Sequence, residues 1–237
     1  MILYANGCSH TAAAEAVVPY CFAEDDGALP NNWLLGRVPH PANLAASWCT
    51  HVARGLGYEL VCDAESASSN DRIVRTTHQW LDRNQDSWSD VFMIIQCTTW
   101  EREEWLHDGI WYQVNASGTD SVPAELEQRY RDWILGIDYQ AKTVQAHEQF
   151  WNLHRLLQDR GISHLFYSSW STFSDIPPDQ QRDWGINYMA PYDRSGSYSA
   201  VLRQKGCHYS KGYHFGADGH RLWAEHVLQY INANNLA

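Results

Sequence analysis

Asp90-Val91-Phe92-Met93-Ile94-Ile95-Gln96-Cys97 carries five apolar residues in succession at positions 91–95. A strand with one wet face alternates apolar and polar side chains. An unbroken run is the pattern of a strand covered on both faces, as in a parallel sheet flanked by helices. Upstream, residues 58–62 read as another strand. Ser68, Ser69 and Asn70 then supply a helix start, and Ile73, Val74, His78 and Leu81 follow at helical intervals. At the N-terminus, residues 2–5 form a short apolar run that ends at Asn6-Gly7, a strand followed by a tight turn. Leu44, Trp48, Val52 and Leu56 give residues 42–56 a helical period, with Gly57 as the stop.

Downstream, residues 105–122 are rich in glycine and aromatics and read as a hairpin. Residues 124–135 and 139–160 read as helices, 164–168 as a fourth strand, and 173–208 as polar, irregular chain around Pro177-Pro178. Leu222, Trp223, His226, Val227 and Tyr230 make residues 218–231 an amphipathic helix with Asp218 as its N-cap. Strand and helix alternate through most of the chain. The expected fold is therefore a three-layer α/β/α sandwich with a mainly parallel sheet. The length of 237 residues suits one domain, with long excursions at about 17–41 and 173–213.

Composition narrows the function. A formal net charge of −11 repels phosphate backbones, so no nucleic-acid partner is expected. Twelve Trp and thirteen Tyr can build a core, and they can also build flat walls for sugars. The six cysteines form no CxxC pair. They read as buried thiols of a reducing compartment, although spacing alone leaves one or two disulfides open. The first residues lack a basic region and a long apolar stretch, and no segment approaches the length of a membrane span. A cytoplasmic location is the expectation. Neither GxxxxGK[ST] nor GxGxxG nor GxSxG occurs. HExxH and zinc-type Cys/His spacings are also absent, and intervals of six put His214, His220 and His226 on different helix faces. No metal and no cofactor are expected.

Ligands of parallel α/β sheets bind beyond the carboxyl ends of the strands, which directs attention to the loops there. Gly7-Cys8-Ser9-His10-Thr11 follows the first strand, and a serine at a strand-to-helix turn exposes both hydroxyl and N–H. The loop from Ala64 to Arg72 is built of small residues ahead of a helix, so backbone N–H groups can approach a ligand. Thr98-Thr99-Trp100-Glu101-Arg102 follows the buried strand and places hydroxyls, an aromatic and a guanidinium at a strand end, so Trp100 and Arg102 are expected to line the site. His214 lies just before the last helix, where it can reach back toward Ser9 as a general base.

Taken together, Gly-Cys-Ser-His-Thr at 7–11, Ala67-x-Ser69-Asn70, and His214-Phe215-x-x-x-Gly219-His220-x-x-Trp223-Ala224 resemble the blocks of the SGNH/GDSL hydrolase family, in particular members from bacteriophages and environmental bacteria. The resemblance implies a flavodoxin-like sandwich that hydrolyses esters of small molecules, carbohydrates or lipids, without a cofactor. It implies Ser9 as nucleophile, His214 as base, and oxyanion or substrate contacts from Ala67, Asn70, Thr99, Trp100 and Arg102. Three departures accompany it. Ala67 stands in place of the second-block glycine, which suffices if its φ stays negative. The third-block Asn is replaced by Thr98 and Thr99, with Asn70 as a substitute from the neighbouring loop. The triad acid, three residues before the histidine in the family, is Lys211 here. A second reading follows from that last departure: a catalytically weak or dead member with a carbohydrate-binding or interaction role.

Overall fold

The computed structural model describes residues 1–23, 37–116 and 122–237. In chain order its principal elements are β1 (Ile2–Asn6), α1 (Ser9–Ala12), α2 (Pro41–Ala45), α3 (Trp48–Leu56), β2 (Glu59–Cys62), α4 (Asn70–Arg83), β3 (Val91–Cys97), β4 (Arg102–His107), β5 (Ile110–Asn115), α5 (Glu127–Leu135), α6 (Tyr139–Asp159), β6 (Ser163–Ser168), β7 (Tyr188–Met189), α7 (Tyr198–Gln204) and α8 (Ala217–Asn234). Five strands form one sheet in the order β2-β1-β3-β6-β7, and every adjacent pair is parallel. From β1 the chain winds first to β2 on one side and then to β3 on the other. The ends of β1 and β3 therefore flank a topological switch point, where a crevice opens in sheets of this kind.

The run at 91–97 is buried at every residue. Phe92 and Ile94 join Leu3, Trp48, Leu165 and Trp223 on one face, while Met93 and Ile95 join Tyr4, Ile73, Phe150 and Phe166 on the other. This is the α/β/α sandwich expected from the sequence, with β3 as the strand both layers press upon. The antiparallel pair β4–β5 forms a separate two-stranded sheet. Trp105 and Val114 are buried against Tyr130.

Several local expectations change. Residues 42–56 form two helices because Ser47 caps α3, its Oγ accepting from Thr50 N at 3.1 Å. The hairpin begins earlier than expected, at Arg102. The irregular stretch at 173–213 contains β7 and α7, whose two and seven residues are too short to impose a period on the sequence. Asp218 is not the N-cap of α8. Gly216 holds that position and Asp218 lies in the first turn, where its charge suits the helix dipole. Of the excursion at 17–41, residues 24–36 lie outside the described ones. Its flanks are tied down by an Asn43 side chain that accepts from Val17 N and Val18 N and donates to Tyr20 O. All six cysteines are free thiols. Among the described residues no helix is long and apolar enough to cross a membrane.

Candidate active site

Ser9 opens α1, a single turn reached from an extended Cys8. Among the described residues its hydroxyl meets Cys8 Sγ alone, at 4.0 Å, and no strong acceptor ties it up. The turn is held from behind. Gln96, at the end of β3, donates from Nε2 to Cys8 Sγ at 3.1 Å and accepts a short hydrogen bond from Thr11, which also meets the Tyr167 hydroxyl at 3.2 Å. A β-carbon on Gly7 would lie 2.7 Å from Gln96 Cβ, so this close approach requires glycine. Asn6 takes Gly7 N on Oδ1 and spends Nδ2 on Ile73 O, Thr76 and Thr77 of α4. The polar side chains of Asn6, Thr11 and Gln96 behind the serine are thus committed, which fixes the position of Ser9.

His214 sits in the loop before α8, and its Nδ1 lies 3.0 Å from Glu15 Oε2. The same oxygen accepts from Ser210 Oγ at 2.9 Å. These contacts, the histidine's first, hold the Glu15 carboxyl below the usual carboxylate range. A carboxylate can only accept, so Nδ1 is the nitrogen that donates, which leaves Nε2 as the one turned away from Glu15. Glu15 has φ 60 and lies in the bend after α1. Gly212 packs over it, and a β-carbon there would fall 2.8 Å from Glu15 Cδ. The carboxylate absent at Lys211 is therefore supplied from the other end of the chain, six residues past Ser9. Asp218, the nearest acid to His214 in sequence, does not serve: its side chain is 96% exposed and leans toward Arg221.

Two backbone donors face the same cleft as His214. The N–H groups of Ser9 and Ala67 have no protein acceptor among the described residues. Ala67 has φ 68, so the negative φ on which its replacement of a glycine depended is not met, and it occupies the left-handed conformation that a glycine adopts freely. Such a residue costs about 1–2 kcal/mol of strain, offset by the contacts around it. Ser69 caps α4 through Arg72 N, and its own N–H donates to Gln113 Oε1 of β5 at 3.2 Å, which joins the hairpin to this loop.

Ser9, Ala67, Thr99, Arg102 and His214 line one cleft of about 1180 Å³. Two other expected site residues do not line it. Asn70 accepts from Thr98 N at 2.9 Å and donates to Thr98 O at 3.3 Å, so its amide braces the end of β3. Trp100 is buried and stacked on Phe173 at 5.3 Å, within the apolar core. The rest of the wall was not foreseen. Paired strand residues point to one side, so the same face of the hairpin presents Arg102, Glu104, Trp111, Gln113 and Asn115 to the cleft. Arg75 grips Glu104 through two hydrogen bonds and lies over the Trp111 ring at 4.6 Å.

The other nearby histidines, His10 and His220, have no carboxylate partner among the described residues. His10 is buried, accepts from Trp170 Nε1, and is held well below the ordinary imidazole value by burial first and then by the charges of His214 and Arg102. His220, pushed down to about 3 by burial, accepts from Trp48 N and joins α8 to α3. Among the described residues no three of His, Cys, Asp and Glu are grouped to hold a metal ion.

No protein-family model and no curated protein matches the chain. Among solved structures it is similar to the psychrotrophic esterase EstA from Pseudoalteromonas sp., in a form inhibited by monoethylphosphonate, with a TM-score of 0.45 and 9% identity over 98% of this chain and 97% of that one. It is also similar to TesA, with a TM-score of 0.45 and 12% identity over 98% of both chains.

Proposed function

We propose that the protein is a serine hydrolase of SGNH/GDSL type that cleaves an acyl or acetyl ester through an acyl-enzyme on Ser9. The observation that carries the reading is the Glu15–His214 contact: a carboxylate on Nδ1 orients the ring and leaves Nε2 as the base, in the same cleft as an uncommitted serine hydroxyl. Ser9 and His214 are not hydrogen-bonded to each other in this structure. Such bonds commonly tighten when substrate arrives.

His214 Nε2 takes the Ser9 proton as Oγ bonds to the ester carbonyl carbon. The carbonyl electron pair moves onto oxygen, where the N–H groups of Ser9 and Ala67 receive the charge. The carbon–oxygen bond to the alcohol then breaks, and the alcohol leaves with the proton held by His214. Water adds to the acyl-enzyme, gives its proton to His214, and Ser9 departs with that proton as the acid is released. The imidazolium formed twice in this cycle is stabilised by Glu15. The substrate class, on this reading, is a small-molecule or carbohydrate ester, because the hairpin wall beside the serine is polar and aromatic.

The alternative, a catalytically weak or dead member with a carbohydrate-binding or interaction role, rests on the missing acid and on the Trp and Tyr content; the Glu15–His214 contact bears on the first ground. Hydrolysis of p-nitrophenyl acetate is the test. Wild type is expected to turn it over, and Ser9→Ala and His214→Ala to lose at least about a thousandfold in kcat. Equal rates in all three would refute the reading.

A further inference from the structure

We infer that Arg102 anchors a negatively charged oxyacid group carried by the ester substrate, beside the scissile bond. The inference rests on the hydrolase reading and deepens it.

Arg102 begins β4 on the cleft-facing side of the hairpin. Its Nη1 donates to Ser68 O at 3.2 Å and to Thr98 Oγ1 at 3.3 Å. The guanidinium is thereby fixed between the loops that follow β2 and β3, next to Ala67 and its uncommitted N–H. Nε and Nη2 have no acceptor among the described residues.

The charge of Arg102 is also unanswered. The chain holds 28 acidic residues against 17 Lys and Arg, so carboxylates are not scarce. Arg72 pairs with Glu65 at 2.8 Å and Arg75 with Glu104 at 2.6 Å, both in this cleft. Arg102 has no carboxylate within 4.0 Å among the described residues. Glu103, one residue on, is engaged by Lys142 and Trp105. Asp63 accepts from the Tyr4 hydroxyl. Glu101, its chain neighbour, lines the cleft but makes no ion pair with it.

A half-buried guanidinium pays desolvation without the return of a paired anion. Its open N–H groups form a planar fork that matches the two oxygens of a carboxylate or the oxygens of a sulfate or phosphate. The overall charge of −11 repels anionic ligands, so a substrate of that kind needs a local cation to bind. Arg72 and Arg75 line the same cleft but are paired with Glu65 and Glu104, so of these three arginines Arg102 is the one that faces it without a carboxylate among the described residues.

Two matched pairs of esters test it: mono-p-nitrophenyl succinate against p-nitrophenyl butyrate for a charge on the acyl side, and 4-acetoxybenzoate against its methyl ester for a charge on the alcohol side. Wild type is expected to favour the charged member of at least one pair by about tenfold or more in kcat/KM. Arg102→Gln abolishes that preference, chiefly through KM, Arg102→Lys keeps part of it, and added salt weakens it. No preference in either pair overturns the inference. So does an equal loss on charged and neutral esters in Arg102→Gln, which would make the residue an oxyanion donor or a brace. If none of the four esters is hydrolysed, the hydrolase reading fails separately. Calorimetry of both charged esters with Ser9→Ala then decides: binding that Arg102→Gln abolishes upholds the anchor, and absence of binding to both removes it.

Discussion

Two histidine sites lie at opposite edges of the sheet and use the same side chain in opposite ways. His214, at the carboxyl edge, has a carboxylate on Nδ1 and an open cleft beside it. His164, near the start of β6, meets Ile162 O through Nδ1 at 2.7 Å and the Nδ1 of His154 through Nε2 at 2.8 Å. Both nitrogens of His164 are used, no anion faces it among the described residues, and burial pushes it down to about 4. A histidine serves as a base when one nitrogen is free and the cation it becomes has a counter-charge. His164 has neither and serves as a neutral link between α6 and β6.

The sharpest way to break the comparison is to remove the counter-charge. Glu15→Gln keeps the shape and lets an amide N–H face Nδ1, which favours the wrong tautomer. We expect kcat to fall about 10²–10⁴-fold with KM little changed, read by steady-state kinetics. His164→Phe should leave kcat of the folded protein unaltered. A kcat unaffected by Glu15→Gln would place His214 beside His164 as a structural residue.

A smaller effect is expected from Gly212→Ala. The added methyl meets the mobile end of Glu15, so the carboxylate gives way and the backbone does not. We expect kcat to fall about tenfold with an unchanged circular dichroism spectrum, the loss being a misplacement of the kind that leaves the fold intact.

Acid stability reads the other side of the comparison. His164 and His220 have folded pKa values of about 4 and about 3, both below the ordinary 6.5. Between those limits the unfolded chain binds more protons than the folded one, so the stability these residues contribute is complete above pH 6.5 and is lost as pH falls toward 4 and then 3. Each contributes at most about 1.4 kcal/mol per pH unit. Urea midpoints should drop steadily below pH 6.5, and the drop should be shallower in His164→Phe if that variant folds. An identical slope in the variant would remove His164 as a source.

How much of this was legible in the sequence depends on range. The run at 91–95 announced a doubly covered strand because burial on both faces leaves a local mark, and the sheet and its flanking helices followed from it; Ser9 and His214 were singled out by their loops and by the resemblance of the motifs around them. Glu15 left a faint signal: it is the only acidic residue among the first 23 and stands in a run of alanines after the serine. Its pairing with His214 spans 199 positions, and no local pattern reports that. Asn70 and Trp100 were misplaced for a related reason. Position at a strand end says which loop a residue occupies, and only the fold shows that Asn70 turns to the Thr98 backbone and Trp100 to Phe173. The cleft wall on the hairpin was hidden because Arg102 and Glu104 turn toward the cleft while Glu103 and Trp105 turn toward α5 and α6, so both faces carry charge and no polar–apolar alternation marks them.

The most direct measurement is labelling with a fluorophosphonate followed by peptide mapping, on wild type, His214→Ala and Glu15→Gln. An activated serine places the label on Ser9 in wild type, removes it in His214→Ala, and slows its appearance in Glu15→Gln. A folded wild type that takes no label on Ser9, or labelling of Ser9 that persists undiminished without His214, would contradict the account.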